Sequence, residues 1–337
     1  MMKKALAVAM AAVLLLLTLA GCNTNDPTGS SYLNVDGKPV DAAYVMKIDG
    51  EEISPEIFRF YYLPIRDSYE SNGADLTDET VQQQLMEEAT NTLLQYHCAI
   101  SKVAQELGIS LTDEETESVK QTIESNKAQF ESEEAYQAAL DDIYATDASY
   151  LTYMLNYQLY QKIINYLETD SGSEYYVDDE TLLSKVHDNY VHVKHILVLC
   201  EEDDDEEERL AFAQELLERA RGGEDFDSLI SEYGEDPGMT TNPDGYYFTK
   251  DDSYVQEFKD ASFALEENAI SEPVKTDYGY HIIQRLPIDD EYVKENRSTF
   301  LSDELYEAYG KLIEEATASL SIEYADAYSL ITPETLS

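Results

Sequence analysis

The feature that most constrains this chain is the stretch from Tyr190 to Leu286, where the spacing of apolar residues switches between two and about 3.6 several times within one domain length. It opens with YVHVKHILVLC and closes with VKTDYGYHIIQRL, both apolar at alternate positions as half-buried strands are. Between them lie GEDFDSLISEYGEDPG, DGYYF and EFKDASFALEENAISEP, two amphipathic helical runs with a short strand-like segment between. A stretch that mixes these periods so densely predicts a compact α+β domain.

The remainder reads differently. YVMKIDGEEIS, broken by Asp49-Gly50, predicts a hairpin leading into a helix from about Ser54. From there to about Asp188 the pattern is helical. Thr77 or Asp78 caps a run in which Val81, Leu85, Ala89, Tyr96, Ile100, Val103 and Leu107 recur at helical spacing, stopped by Gly108. Thr112 to Glu115 opens a second helix. Ser149 to Thr169 forms a third, whose Leu, Ile, Tyr and Met surface is too wide for one contact. That surface is read either as the core of a helical bundle or as a cradle for unfolded segments. Val177-Asp178-Asp179-Glu180 starts one more. After Leu286 the stripe Leu301, Leu305, Ala308, Leu312 and Ala316 predicts a terminal helix, and Ser321 to Leu330 a last strand or short helix. Such a helix is too thin to fold alone and is expected to pack on the N-terminal bundle. The α+β domain is then an insertion between two parts of an all-α domain.

Charge excludes some partners. With 22 Lys+Arg against 70 Asp+Glu, formal charge −48, nucleic acid is not expected, because its phosphates need a basic footprint. Attraction to an anionic bilayer is excluded for the same reason. The N-terminus offers another route to a membrane. Lys3 and Lys4, the apolar run Ala5 to Leu19 and then Leu19-Ala20-Gly21-Cys22 resemble a bacterial lipoprotein signal with its lipobox. The resemblance implies cleavage before Cys22 and lipidation of its thiol. An ordinary secretory signal or a short membrane anchor is the alternative, though the run is short for a span. With Cys22 lipidated, Cys98 and Cys200 are read as unpaired thiols. No Walker loop, GxGxxG, CxxC, HExxH or GxSxG occurs. The run Glu201 to Glu208 lacks the glycine and spacing of a calcium loop and is read as a solvated segment before a helix.

Period two in Val191 to Leu199 puts Val191, Val193, His195, Leu197 and Leu199 on one face, with His192 on the other. His281 likewise shares a face with Gly279 and Ile283. Two histidines on two strands can meet in one sheet. With HILV at His195, GEDFDSLISEYGED at Gly223 to Asp236, FKDASFAL at Phe258 to Leu265 and ISEPVKTDYGYHII at Ile270 to Ile283, the whole domain resembles the parvulin family of peptidyl-prolyl cis/trans isomerases. The flanking helices and lipobox are similar to PrsA-type foldase lipoproteins and, more distantly, to SurA-type chaperones.

The resemblance implies a four-stranded antiparallel sheet with surrounding helices. It gives a division into signal peptide 1–21, tether 22–43, helical chaperone-like domain 44–189, parvulin domain 190–288 and C-terminal helical segment 289–337. It implies His195 and His281 as a hydrogen-bonded pair, Asp236 beside the amide, Thr276 as the hydroxyl linked to the second histidine, and Phe258 with Tyr254 in the proline pocket. Neither metal nor cofactor is expected, since no bond need break. Two departures stand out. Gly-Gly-Asp-Leu-Gly of the family is Asn242-Pro243-Asp244-Gly245-Tyr246 here, so the pocket Leu is missing or shifted, and the Ser of the family is Gly234. The expected function is a membrane-anchored extracytoplasmic foldase acting on X-Pro bonds of secreted polypeptides. The alternatives are a non-catalytic holdase with a parvulin-like binding module and, from charge alone, a cation-buffering surface protein.

Overall fold

The structure, a computed structural model, describes residues 32–202 and 204–336. The expected signal sequence and Cys22 lie outside them. The chain forms two compact units: one runs up to Ser173 and resumes at Leu305, the other is Glu174–Glu304.

The first unit begins with a small hairpin, β1 (Asn34–Val35) and β2 (Lys38–Pro39), followed by β3 (Met46–Ile48) and β4 (Glu51–Ile53). Asp49 and Gly50 both have positive φ, 49° and 87°, as a two-residue hairpin turn that follows strand twist requires. The Ser54 side chain accepts from the Ile57 amide at 3.2 Å and Pro55 occupies the first turn, so α1 (Pro55–Ser71) starts there and buries Phe58, Tyr62 and Leu63. Asp78 caps α2 (Glu79–Leu93), which passes through a π turn at Leu94–Cys98 into α3 (Ala99–Glu106). Gly108, at φ 70°, ends it. α4 (Asp113–Lys127) opens on a reciprocal capping box between Thr112 and Glu115. α5 (Glu133–Asp142) and α6 (Asp147–Thr169) follow. Tyr150 is buried in the core, and Leu151, Tyr153, Met154 and Leu155 pack against it, so this much of the α6 surface is core.

The second unit opens with α7 (Asp179–Asn189), capped by Asp178, and β5 (Val191–Leu199). Then come α8 (Glu206–Arg221), α9 (Phe226–Tyr233), α10 (Pro237–Thr241), β6 (Tyr246–Phe248), α11 (Gln256–Ala264), β7 (Val274–Thr276) and β8 (Gly279–Leu286). The four strands form one antiparallel sheet in the order β6-β5-β8-β7. One face, with Ile196, Val198, Tyr280 and Ile282, packs against Leu216 and Leu217 of α8 and Phe226 and Leu229 of α9. The other, with Val191, Val193, Phe248 and Ile283, is covered by Phe258 of α11. The acidic segment before α8 behaves as a cap: the Asp205 carboxylate accepts from the amides of Glu207 and Glu208, and Glu206 to Glu208 fill the first turn.

α12 (Asp290–Glu295) and α13 (Arg297–Phe300) complete this unit. The Lys185 ammonium donates to the Phe300 carbonyl at 2.7 Å, and the Phe300 ring lies 5.3 Å from Tyr190. The chain returns to the first unit in α14 (Ser302–Ser319), then β9 (Ile322–Tyr324), which pairs antiparallel with β3, and a 3-10 turn at Asp326–Leu330. Three boundaries therefore differ from expectation. The α+β unit begins at Glu174 rather than 190, because α7 packs with α12 and α13. The return falls at Leu305 rather than 289, because α12 and α13 have apolar partners in the α+β unit. The expected tether is shorter, since Leu33 is fully buried and bridges Leu336. Among the described residues no helix is long and apolar enough to cross a membrane.

Candidate active site

Sheet register brings the two histidines together. His195 on β5 lies opposite Ile283 and Leu197 opposite His281, so the histidines are diagonal neighbours on one face. Thr276 on β7 stands opposite Gly279 and is the next diagonal neighbour of His281. Asp236 arrives from the other side as the cap of α10: its Oδ1 accepts the Gly238 amide at 2.9 Å. Glu235, just before it, is tied to the sheet through its own amide, which donates to the Leu197 carbonyl at 2.9 Å. Gly234 is required sterically, because a Cβ there would stand 2.5 Å from the Ile230 carbonyl oxygen.

These four residues form one hydrogen-bonded chain. Thr276 Oγ1 is 2.9 Å from His281 Nε2, His281 Nδ1 is 2.9 Å from His195 Nδ1, and His195 Nε2 is 2.7 Å from Asp236 Oδ2. The ring planes of the histidines are within 7° of parallel. Protons follow from the ends inward. An ionised carboxylate only accepts, so His195 Nε2 carries a hydrogen. With both rings neutral, His195 Nδ1 must accept, His281 Nδ1 must donate, and His281 Nε2 must accept from the Thr276 hydroxyl. The Thr276 oxygen in turn accepts the Tyr278 amide at 3.2 Å. For two neutral rings, this arrangement satisfies every bond.

Electrostatics fix the charge at two members of the chain. Burial, together with the neighbouring His195, pushes His281 down to about 3, so this ring stays neutral. The hydrogen bond from His195 holds Asp236 down at about 2 against the opposing effect of burial, with help from the Gly238 amide and the Tyr246 hydroxyl. His195 and His281 are 4% and 5% exposed while the Asp236 side chain is 22% exposed, so the chain opens to solvent at its anionic end.

An aromatic wall stands beside it. Phe258 is buried, with its ring edge-on to His195 at 5.0 Å and to His281 at 5.2 Å. Tyr254 is exposed and packs on Phe248 at 4.5 Å and on Phe258 at 5.9 Å. The structure thus brings His195, Asp236, Thr276, His281, Phe258 and Tyr254 to one face of the sheet. His192 is elsewhere: it stacks on Tyr247, and its ring nitrogens face the carbonyls of Pro287 at 2.9 Å and Asp244 at 2.7 Å. The residue not anticipated from sequence is Tyr246, whose hydroxyl donates to Asp236 Oδ2 at 2.9 Å. Period two along YYF places Tyr246 and Phe248 on one side, and that was the available signal.

Residues 181–287 match the family described as PPIC-type PPIASE domain, and residues 1–164 the SurA-like N-terminal domain. The chain is 27% identical over 284 residues to the foldase protein PrsA of Halalkalibacterium halodurans, covering 82% of this chain and 71% of that one. It is 38% identical over 96 residues to the chaperone SurA of Pseudomonas syringae pv. tomato, a match that spans 28% of this chain and only 22% of that protein. Among solved structures, the foldase protein PrsA from Streptococcus pneumoniae is similar at 19% identity and a TM-score of 0.41, over 78% of this chain and 92% of that one. The Tyr190 to Leu286 stretch, with its paired histidines, is therefore a parvulin-type peptidyl-prolyl isomerase domain, and the chain that carries it behind a SurA-like N-terminal domain is similar to the PrsA-type foldases.

Proposed function

We propose that this chain is an extracytoplasmic, lipid-anchored foldase that isomerises X-Pro bonds in secreted polypeptides and holds unfolded clients. The observation that carries the catalytic part is the chain Thr276–His281–His195–Asp236 lying against Phe258. A planar amide places negative charge on its oxygen through resonance, and twisting about C–N removes it. An anion fixed beside that oxygen raises the planar form more than the twisted form, which lowers a barrier of about 18–20 kcal/mol. Asp236 is that anion. His195 and His281 hold it in place, Thr276 fixes the tautomer of His281, and Phe258 with Tyr254 receives the proline ring. No step calls for a metal or cofactor. Anchoring rests on Leu19-Ala20-Gly21-Cys22, and the clients are unfolded chains rather than nucleic acid.

Cis/trans exchange of an Ala-Pro peptide, followed by NMR exchange spectroscopy with the full chain added, tests the catalytic part. Asp236→Ala and His281→Ala are expected to lower the acceleration at least about tenfold. Radiolabelled fatty acid is expected on the wild type and absent from Cys22→Ser, which would leave the membrane fraction. A second reading, a holdase without turnover, is favoured by one observation: Tyr246 stands in the segment where the family's pocket Leu is missing. Wild type that suppresses aggregation of an unfolded client but leaves peptide exchange unchanged would select it.

A further inference from the structure

Asp236 does not depend on His195 alone. Its Oδ2 receives both the His195 Nε2 hydrogen, at 2.7 Å, and the Tyr246 hydroxyl, at 2.9 Å, while Oδ1 receives the Gly238 amide at 2.9 Å. Three donors from three elements leave the carboxylate no free rotation. Tyr246 reaches it because β6 pairs with β5, with Tyr246 opposite Val193 and so on the His195 face. The bend that sets this register is Gly245, at φ 101°, where a Cβ would stand 2.7 Å from the Val193 carbonyl oxygen. The turn that carries Asp236 is also shaped around the phenol. A Cβ on Gly238 would lie 2.0 Å from the Tyr246 hydroxyl, so a side chain there would displace the phenol from Asp236.

We propose that Tyr246 is a positioning residue of the isomerase site, its hydroxyl holding the Asp236 carboxylate at the orientation and charge the twisted amide needs. The inference rests on the isomerase reading above and deepens it. The segment that departs from the family then does two jobs. Its ring takes a place in the aromatic wall, 5.8 Å from both His195 and Tyr254, and its hydroxyl completes the carboxylate's shell. Burial and the bond to Asp236 both push the phenol above its ordinary value, so it remains a donor throughout the neutral range.

The test compares Tyr246→Phe with wild type in the full chain. Phe keeps the ring and removes only the hydroxyl. A hydrogen bond to an ionised group is strong enough that kcat on an Ala-Pro peptide is expected to fall about tenfold with KM unchanged. In an Asp236→Ala background the same substitution is expected to add nothing, because the hydroxyl acts through that carboxylate. Wild-type kcat in Tyr246→Phe, or losses that multiply in the double variant, would overturn the proposal. A second readout needs no turnover. When two donors share one oxygen, removing one strengthens the other, so the His195 Nε2 proton resonance is expected to move downfield in Tyr246→Phe. An unmoved resonance overturns the proposal as well. If wild type fails to accelerate exchange, the isomerase reading falls, and the His195 resonance still decides whether Tyr246 holds Asp236.

Discussion

Protonating His281 is opposed by the low-dielectric site around it and by the ring of His195 beside it, and this sets a pH dependence that can be measured. In the unfolded chain an ordinary histidine binds a proton below about 6.5, whereas in the folded protein His281 does so only at about 3. Between those values the unfolded state holds more protons, so stability falls as pH falls through that window and is fully present above it. The slope is about 1.4 kcal/mol per pH unit for this one group. Hydrogen exchange of β5 and β8 amides at pH 7.5, 5.5 and 4.5, corrected for intrinsic rates, is expected to approach that slope between the two lower values in wild type and to be shallower by it in His281→Gln. Equal slopes in the two proteins would mean His281 titrates normally. Thr276 is a second test at this scale. Thr276→Val leaves the buried His281 Nε2 without its donor and is expected to cost about 1–3 kcal/mol, while Thr276→Ser is expected to cost far less. Strand period put His195 and His281 where one sheet could bring them together, and the parvulin resemblance added Asp236 and Thr276. Tyr246 escaped because its role is set by the positions of Asp236 and Gly238 across a loop, which no local period carries.

Among the elements, the tight β7–β8 hairpin governs the histidine face, and one glycine governs the hairpin. Gly279 has φ 137°, and a Cβ there would stand 2.2 Å from the Val198 carbonyl oxygen. Gly279→Ala must therefore push β8 off β5, and a loss of at least about 3 kcal/mol is expected, with the His195–His281 contact broken. Gly310, exposed within α14 with nothing within 4 Å of its missing Cβ, supplies the contrast. Gly310→Ala is expected to stabilise by about 0.5–1 kcal/mol. Thermal unfolding of the two variants checks both signs. The helix boundaries were largely legible, because Asp78, Thr112 and Asp178 are side-chain caps in the sequence and in the fold alike. The π turn at Leu94–Cys98 was not. It interrupts a run whose apolar spacing looks continuous, and the amide that answers it comes from far along the chain: Asn156 Nδ2 donates to the carbonyls of Tyr96 and His97, each at 3.3 Å.

At the scale of the molecule, 70 acidic residues against 22 basic ones leave a charge of −48, and the cations beside the isomerase strands are already committed. Lys194 pairs with Asp227 at 2.8 Å, Arg209 with Glu235 and Lys275 with Glu206. A phosphorylated segment approaching Asp236 would meet like charge and paired donors, whereas a basic unfolded segment would meet an attractive field. That field reaches about 10 Å at 0.1 M salt and about 30 Å at 0.01 M, so its contribution to client capture is a matter of ionic strength. The length and apolar content of a client are untouched by salt in this range, which allows the two contributions to be separated. Aggregation of two unfolded clients matched in length and hydropathy, one rich in Lys and one rich in Glu, should be followed with the full chain present at about 0.01 M and about 0.3 M salt. The basic client is expected to be protected at lower chaperone concentration in low salt, with the difference between clients shrinking severalfold as salt rises. The same protection for both clients at both salts would show that the acidic surface serves solubility alone, and that capture depends on apolar contacts.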